Sequence, residues 1–142
     1  MASAIDYVGP AIGALLFVLG MSLVSEPHRK TINAFLAAGA SGVYISGGFG
    51  ISELLYAAVA MPVAYQGLRD YRFIGAAWLL HAAWDLPHHL WNRPIWPFQP
   101  TSSLGCVIFD SLIAIWFLAN APTLIGNQQS LRRGARVSGK VN

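Results

Sequence analysis

The chain has 142 residues, of which 55% are hydrophobic and 11% charged, and it carries a formal net charge of +3. This composition is more apolar than that of soluble domains of similar size and predicts an integral membrane protein. The few basic residues lie in short connections and the C-terminal tail, so we expect no nucleic-acid partner, and the single cysteine excludes an internal disulfide.

The first apolar segment, residues 7–24, is long enough to cross a bilayer and ends at the basic sequence SEPHRK. Residues 31–68 stay apolar for too long to form one span, and the glycine-rich SGGFG at residues 46–50 lies near their middle. We therefore predict two short spans, residues 31–46 and 51–68. A re-entrant hairpin at SGGFG is the alternative.

A fourth span is predicted from residue 73 to Pro87, where the proline-rich sequence that follows interrupts it. A fifth is predicted over residues 104–121. The sequence thus predicts an all-α fold, a polytopic transmembrane helix bundle of about five spans within residues 1–125. Residues 126–142 are predicted to form a basic cytoplasmic tail.

The distribution of basic residues predicts the orientation of this bundle, because Lys and Arg accumulate on the cytoplasmic side of membrane proteins. With five spans and the N-terminus outside, HRK, RDYR and the tail are all cytoplasmic, and Arg93 is the one basic residue outside. We predict a multi-pass protein of a cell membrane, the bacterial inner membrane, with its C-terminus in the cytoplasm.

Small residues recur every four positions in the second predicted span, at Ala34, Ala38, Gly42 and Ser46. This spacing allows two helices to approach closely in lipid. We expect packing within one protomer, and a homodimer interface is the alternative.

Ionisable side chains accumulate in the outer half of the predicted bundle, although burying a charge in hydrocarbon costs about 2.5–3.5 kcal/mol. His81, Asp85 and His88 follow an i, i+4, i+7 spacing and share one helix face. Imidazole and carboxylate together suit zinc, iron or manganese. The candidate metal ligands, predicted at one depth on three spans, are His81, Asp85, His88, His89, Glu53 and Asp110.

The same residues also suit metal-free acid/base chemistry, for which His81, Asp85 and Glu53 are the candidate catalytic residues. Candidate substrate-binding residues beside them are Trp78, Trp84 and Cys106. The ordinary roles of such residues are an interfacial aromatic belt for Trp and packing for Cys.

These patterns favour a membrane-embedded enzyme that acts on a lipid or isoprenoid-like substrate, with membrane lipids as its surroundings. Two alternatives stay open. One is a proton or metal-ion transporter or binding protein, because acid and histidine chains form relays in membranes. The other is a non-enzymatic protein whose buried polar groups specify helix packing.

Several segments of the chain resemble an uncharacterised family of small bacterial integral-membrane proteins. They include SGGFGISEL, the block H-x-x-W-D-x-x-H-H, the segment P-I-W-P-F and the turn S-S-L-G-C, in that order. The resemblance covers about residues 33–117 and implies a single membrane domain that includes the six candidate ligands, but it names no reaction. A looser, architectural similarity to sterol-isomerase-type membrane proteins favours acid/base chemistry.

Overall fold

The structure is a computed structural model that describes residues 2–42, 44 and 48–125. Over these residues the chain forms five α-helices and no strand, which confirms the all-α prediction. The helices are α1 Ala4–Leu23, α2 His28–Ala40, α3 Ile51–Gln66, α4 Tyr71–Leu90 and α5 Ser102–Leu118. The predicted tail, residues 126–142, and Ser46 of the small-residue series lie outside the described residues.

Helix α4 extends three residues beyond its predicted end at Pro87. Pro87 has no N–H to donate to the Ala83 carbonyl, but its own carbonyl accepts the Trp91 N–H at 2.9 Å, so the turn after the proline keeps a helical hydrogen bond. His88 and His89 are therefore helical. Asp70 starts the same helix by accepting the Arg72 N–H at 2.9 Å.

Contacts at the helix ends define two ends of the bundle. At one end Thr101 donates to Asp6 at 2.7 Å, and at the other the Leu124 N–H donates to Ser22 Oγ at 3.3 Å. Helices α1 and α5 therefore run in the same direction. The second end, which we name the basic end, contains the four basic residues Arg29, Lys30, Arg69 and Arg72.

Arg29 joins several elements at the basic end although its side chain is almost fully buried. Its Nη1 donates to the Ala121 carbonyl at 3.2 Å, and its Nε lies 3.3 Å from Glu26 Oε1. The Tyr71 hydroxyl also donates to Glu26. These contacts connect the α1–α2 turn to α4 and to the segment after α5.

Helix α4 is central and packs against α5, α3 and α2, while α1 packs against α5. The apolar core includes the fully buried Ile74, Ile113 and Phe117. Gly75 permits the close contact of α4 with α5, since a Cβ there would lie 2.8 Å from Leu118 Cγ. In α2, Ala34 is buried and Ala38 packs against the core, which places these small residues within the protomer.

Among the described helices, α1 alone is both long and apolar enough to qualify as a membrane span. Helix α5 is apolar but shorter, with 17 residues. Length and composition of one helix near the N-terminus are weak support for a membrane location, because a signal sequence or a buried core helix has the same features.

Candidate functional site

One imidazole and two carboxylates meet near the middle of the bundle, on α4 and α5. His81 Nε2 lies 3.8 Å from Asp85 Oδ1 and 3.9 Å from Asp110 Oδ2. Each of the three residues offers one ligand atom, and these atoms lie within 4.8 Å of one another. We name this group the His81 cluster. The two distances from His81 Nε2 are too long for hydrogen bonds but near the value of about 3.4 Å between ligands of one tetrahedral metal ion.

All three residues of the His81 cluster are buried, with exposed fractions of 4% for His81, 0% for Asp85 and 3% for Asp110. Asp85 Oδ2 and Asp110 Oδ2 are buried, and no group in the described part of the chain donates a hydrogen bond to them. A buried carboxylate oxygen without a partner is costly. The cluster therefore needs a cation or protons to balance it.

Two tyrosines hold the outer sides of the His81 cluster. The Tyr44 hydroxyl donates to Asp85 Oδ1 at 2.8 Å and lies 2.9 Å from Ser103 Oγ. The Tyr56 hydroxyl lies 2.9 Å from His81 Nδ1. Sequence reasoning missed these residues because tyrosines in apolar segments look like packing residues. The available signal was that a buried tyrosine hydroxyl usually finds a partner.

A second polar group, the Glu53 pair, consists of Glu53 on α3 and His88 on α4. His88 Nε2 lies 3.1 Å from Glu53 Oε1, within ion-pair distance but not aligned as a hydrogen bond. The Glu53 oxygens accept from the Phe49 N–H and from Trp84 Nε1, each at 2.8 Å. His88 Nδ1 lies 3.1 Å from the Arg93 carbonyl oxygen.

Aromatic rings join the Glu53 pair to the His81 cluster. The Tyr44 ring stacks on His88 with centroids 3.7 Å apart, while its hydroxyl reaches Asp85. The Tyr56 ring stacks on Trp84 at 5.0 Å, while its hydroxyl reaches His81. The two groups are thus neighbours with separate ligand atoms.

The structure divides the six predicted ligands rather than gathering them at one point. His81, Asp85 and Asp110 form one group, and Glu53 and His88 form the other. Seven residues of α-helix rise about 10.5 Å, which separates His88 from His81 along α4 even though they share a face. His89 is half-buried, and no ion pair or side-chain hydrogen bond in the described part of the chain joins it to either group.

The three predicted substrate-binding residues have different surroundings. Trp84 is half-buried and donates to Glu53, so it has a polar partner within the site. Trp78 is buried with its ring centroid 6.1 Å from that of His81, and its Nε1 has no hydrogen-bond partner among the residues that the structure describes. Cys106 is a half-buried free thiol that does not join the ligand atoms of the His81 cluster.

Residues 5–123 match the model of a family of unknown function, DUF6010. The chain belongs to this family. The DUF6010 match spans all five helices and both polar groups, and it confirms the expected membership of an uncharacterised family. The comparisons with curated proteins and with solved structures give no match. The chemistry of the site therefore has to be argued from its own geometry.

Proposed function

We propose that this DUF6010 protein is a multi-pass membrane enzyme that binds a divalent transition-metal ion at the His81 cluster. Its substrate is a lipid or isoprenoid-like molecule that enters from the bilayer. The observation that carries the proposal is the convergence of three buried ligand atoms, together with two carboxylate oxygens that receive no hydrogen bond from the described residues.

The distribution of exposed side chains supports the membrane location. Every helix exposes large apolar side chains, for example Leu16, Phe35, Leu55, Leu86 and Ile115. The buried set, in contrast, contains several charged or strongly polar residues. Apolar outer surfaces around a polar interior are typical of helices solvated by lipid, where internal polar groups must find partners within the bundle.

The ends of the bundle support five spans with the N-terminus outside. Arg29, Lys30, Arg69 and Arg72 lie at the basic end, whereas Arg93 lies beyond the C-terminus of α4 at the opposite end. The positive-inside rule places the basic end in the cytoplasm. Both polar groups then lie between the middle of the membrane and its outer side.

The donor set supports a metal ion with one imidazole and two carboxylate ligands. Such mixed nitrogen and oxygen ligands suit zinc, iron or manganese. Three protein ligands leave a coordination position for water or substrate, as in catalytic metal sites. A bound ion of this kind supplies Lewis-acid chemistry or an activated water.

Burial of the site supports a membrane-soluble substrate. The side chains of the His81 cluster are almost fully buried and the outer surfaces of the surrounding helices are apolar, which favours a substrate that reaches the site from lipid. The buried Trp78 beside His81 offers an apolar surface, and its unpartnered Nε1 offers one hydrogen-bond donor to a polar group of that substrate.

Equilibrium dialysis of the detergent-purified, chelator-treated protein against Zn²⁺ and Mn²⁺ tests the metal site. We expect about one bound ion per chain in the wild type and loss of binding in Asp85→Asn and Asp110→Asn. Asp70→Asn, which changes an aspartate at the basic end, is the matched control and retains binding. An unloaded wild type, or equal binding by all variants, contradicts the proposal.

A second candidate function, proton transfer through the membrane without a metal, is favoured by the proximity of the Glu53 pair to the His81 cluster. Such neighbouring acids and histidines can pass protons. If this function is correct, vesicles containing the protein show a pH-driven proton flux that Asp110→Asn abolishes. Absence of flux in a wild type that binds metal excludes it.

A further inference from the structure

Two tyrosine hydroxyls contact the His81 cluster from outside, Tyr44 at Asp85 and Tyr56 at His81. The contact at Asp85 belongs to a hydrogen-bond chain, which we name the Asp85 chain, and a backbone N–H at its far end can only donate. The contact at His81 is on Nδ1, whereas Nε2 is the ring nitrogen that lies near the two carboxylates.

The Asp85 chain begins at a donor. The Ile95 N–H donates to Ser103 Oγ at 3.3 Å. The Tyr44 hydroxyl donates its one proton to Asp85 Oδ1, so Ser103 must donate across the 2.9 Å contact to the Tyr44 oxygen. Oδ1, the Asp85 oxygen that lies 3.8 Å from His81 Nε2, therefore accepts one hydrogen bond and keeps a second lone pair, while Oδ2 has no hydrogen-bond partner among the described residues.

His81 makes one hydrogen-bonding contact on the side of its ring that faces away from the two carboxylates. The Tyr56 hydroxyl lies 2.9 Å from His81 Nδ1. A metal ion bound at Nε2 needs the lone pair of that nitrogen, so the ring proton must then lie on Nδ1, where the Tyr56 oxygen accepts it.

We propose that Tyr56 and Tyr44 are positioning residues that set the metal-binding form of the His81 cluster. Tyr56 holds the proton of His81 on Nδ1, which leaves the lone pair of Nε2 directed at Asp85 and Asp110. Tyr44 donates to Asp85 Oδ1 and thereby holds the carboxylate beside His81. A partner on the second nitrogen of a ligating histidine commonly fixes its tautomer in this way.

This inference rests on the proposed metal site, but the His81 tautomer can be measured without any metal. In the opposite tautomer Nε2 carries the proton, and the cluster is a metal-free hydrogen-bond donor facing two carboxylates. The direction of the Tyr56 contact therefore separates a metal site from an acid/base site.

The first experiment is ¹⁵N NMR of histidine-labelled, metal-free protein in detergent, with His81→Gln used to assign the signal. We expect a neutral ring protonated on Nδ1 in the wild type. In Tyr56→Phe we expect a shift toward the Nε2-protonated form. A wild type protonated on Nε2 overturns the inference, even if Tyr56→Phe fails to fold.

The second experiment titrates chelator-treated protein with Co²⁺ and follows its visible absorption bands. Loss of a hydrogen bond to a metal-binding residue typically weakens metal binding 10- to 100-fold. We expect this weakening for Tyr56→Phe and Tyr44→Phe, which remove the hydroxyls that contact His81 and Asp85. The control is Tyr65→Phe, because Tyr65 lies on α3 with its side chain exposed.

The outcomes separate the two proposals. If wild type binds no Co²⁺ but has the Nδ1-protonated ring, the proposed metal function fails while the role of Tyr56 in fixing the tautomer stands. If wild type binds Co²⁺ and both tyrosine variants bind with the affinity and absorption bands of wild type, the positioning role is overturned.

Discussion

Replacing Gly48 by alanine tests the packing of the Glu53 pair, because the glycine backbone lies directly against it. A Cβ at this position would lie 2.3 Å from His88 Cε1 and 2.5 Å from Glu53 Oε1. Neither side chain can move away easily, since both are almost fully buried and held by hydrogen bonds. We therefore expect Gly48→Ala to be strongly destabilising.

Gly50→Ala is the matched control for this substitution. Both glycines have a positive φ, +66° at Gly48 and +61° at Gly50, but a Cβ at Gly50 would meet no atom within 4 Å. The backbone conformation costs about 1–3 kcal/mol for alanine at either position. Overpacking adds about 1–3 kcal/mol at Gly48 alone. The difference between the two variants isolates the contact with His88 and Glu53.

The assay is the free energy of unfolding in mixed detergent micelles, measured for both variants and for Gly48→Ala combined with His88→Ala. Removing the His88 ring opens space for the new methyl group. We expect the double variant to lose at least about 1 kcal/mol less than the sum of the single losses. Equal stability of Gly48→Ala and Gly50→Ala, or strict additivity, would refute the described packing.

Three further predictions follow from other contacts. Both Glu53 oxygens accept a hydrogen bond from an N–H group, so Glu53→Gln places its amide NH₂ against one of these donors. Unfolding titrations should show that this variant loses about 1–3 kcal/mol of unfolding free energy. The control Glu26→Gln should lose less, because the Glu26 side chain is 47% exposed. Residues 93 and 69 are both exposed and lie at opposite ends of the bundle. In a Cys106→Ser background, a membrane-impermeant thiol reagent added outside intact cells should label Arg93→Cys and not Arg69→Cys. The reverse labelling would contradict the proposed orientation of the bundle in the membrane. The Arg72 side chain and N–H lower the pKa of Asp70 in the folded chain, so its carboxylate stabilises the fold fully above the unfolded pKa of about 3.9 and loses that effect as pH falls through the lower folded pKa. The difference between the thermal midpoints of wild type and Asp70→Ala should therefore be largest at neutral pH and shrink as pH falls below about 3.9, and a constant difference would contradict this role.

The helical face at His81, Asp85 and His88 could be predicted from sequence because helix periodicity is a local property. The structure buries all three residues, but the i, i+7 spacing also separates His81 from His88 by about 10.5 Å along the axis. The partners of each, Asp110 for His81 and Glu53 for His88, depend on how far α5 and α3 are shifted along α4. Residue spacing within one helix contains no such information.

The bounds of the helices could be predicted only in part, because local sequence signals do not show how far a helix continues past a proline. Pro87 looked like the end of α4 because proline disrupts a helix interior, yet α4 continues to Leu90 and the Pro87 carbonyl accepts the Trp91 N–H. Tyr44, Tyr56 and Ser103 were missed because their function as hydrogen-bond donors or acceptors depends on tertiary contacts. The polar neighbours that give these hydroxyls a direction come from other segments.

The most direct test of the central claim is the metal content of the protein as purified without chelator, measured by elemental mass spectrometry. His81→Ala and His88→Ala are prepared in parallel, because the two histidines lie on one helix face but in different polar groups. We predict near-stoichiometric zinc, iron or manganese in wild type and His88→Ala, and loss of the metal in His81→Ala. A wild type without metal, or equal metal in all three proteins, would contradict a metal site at the His81 cluster.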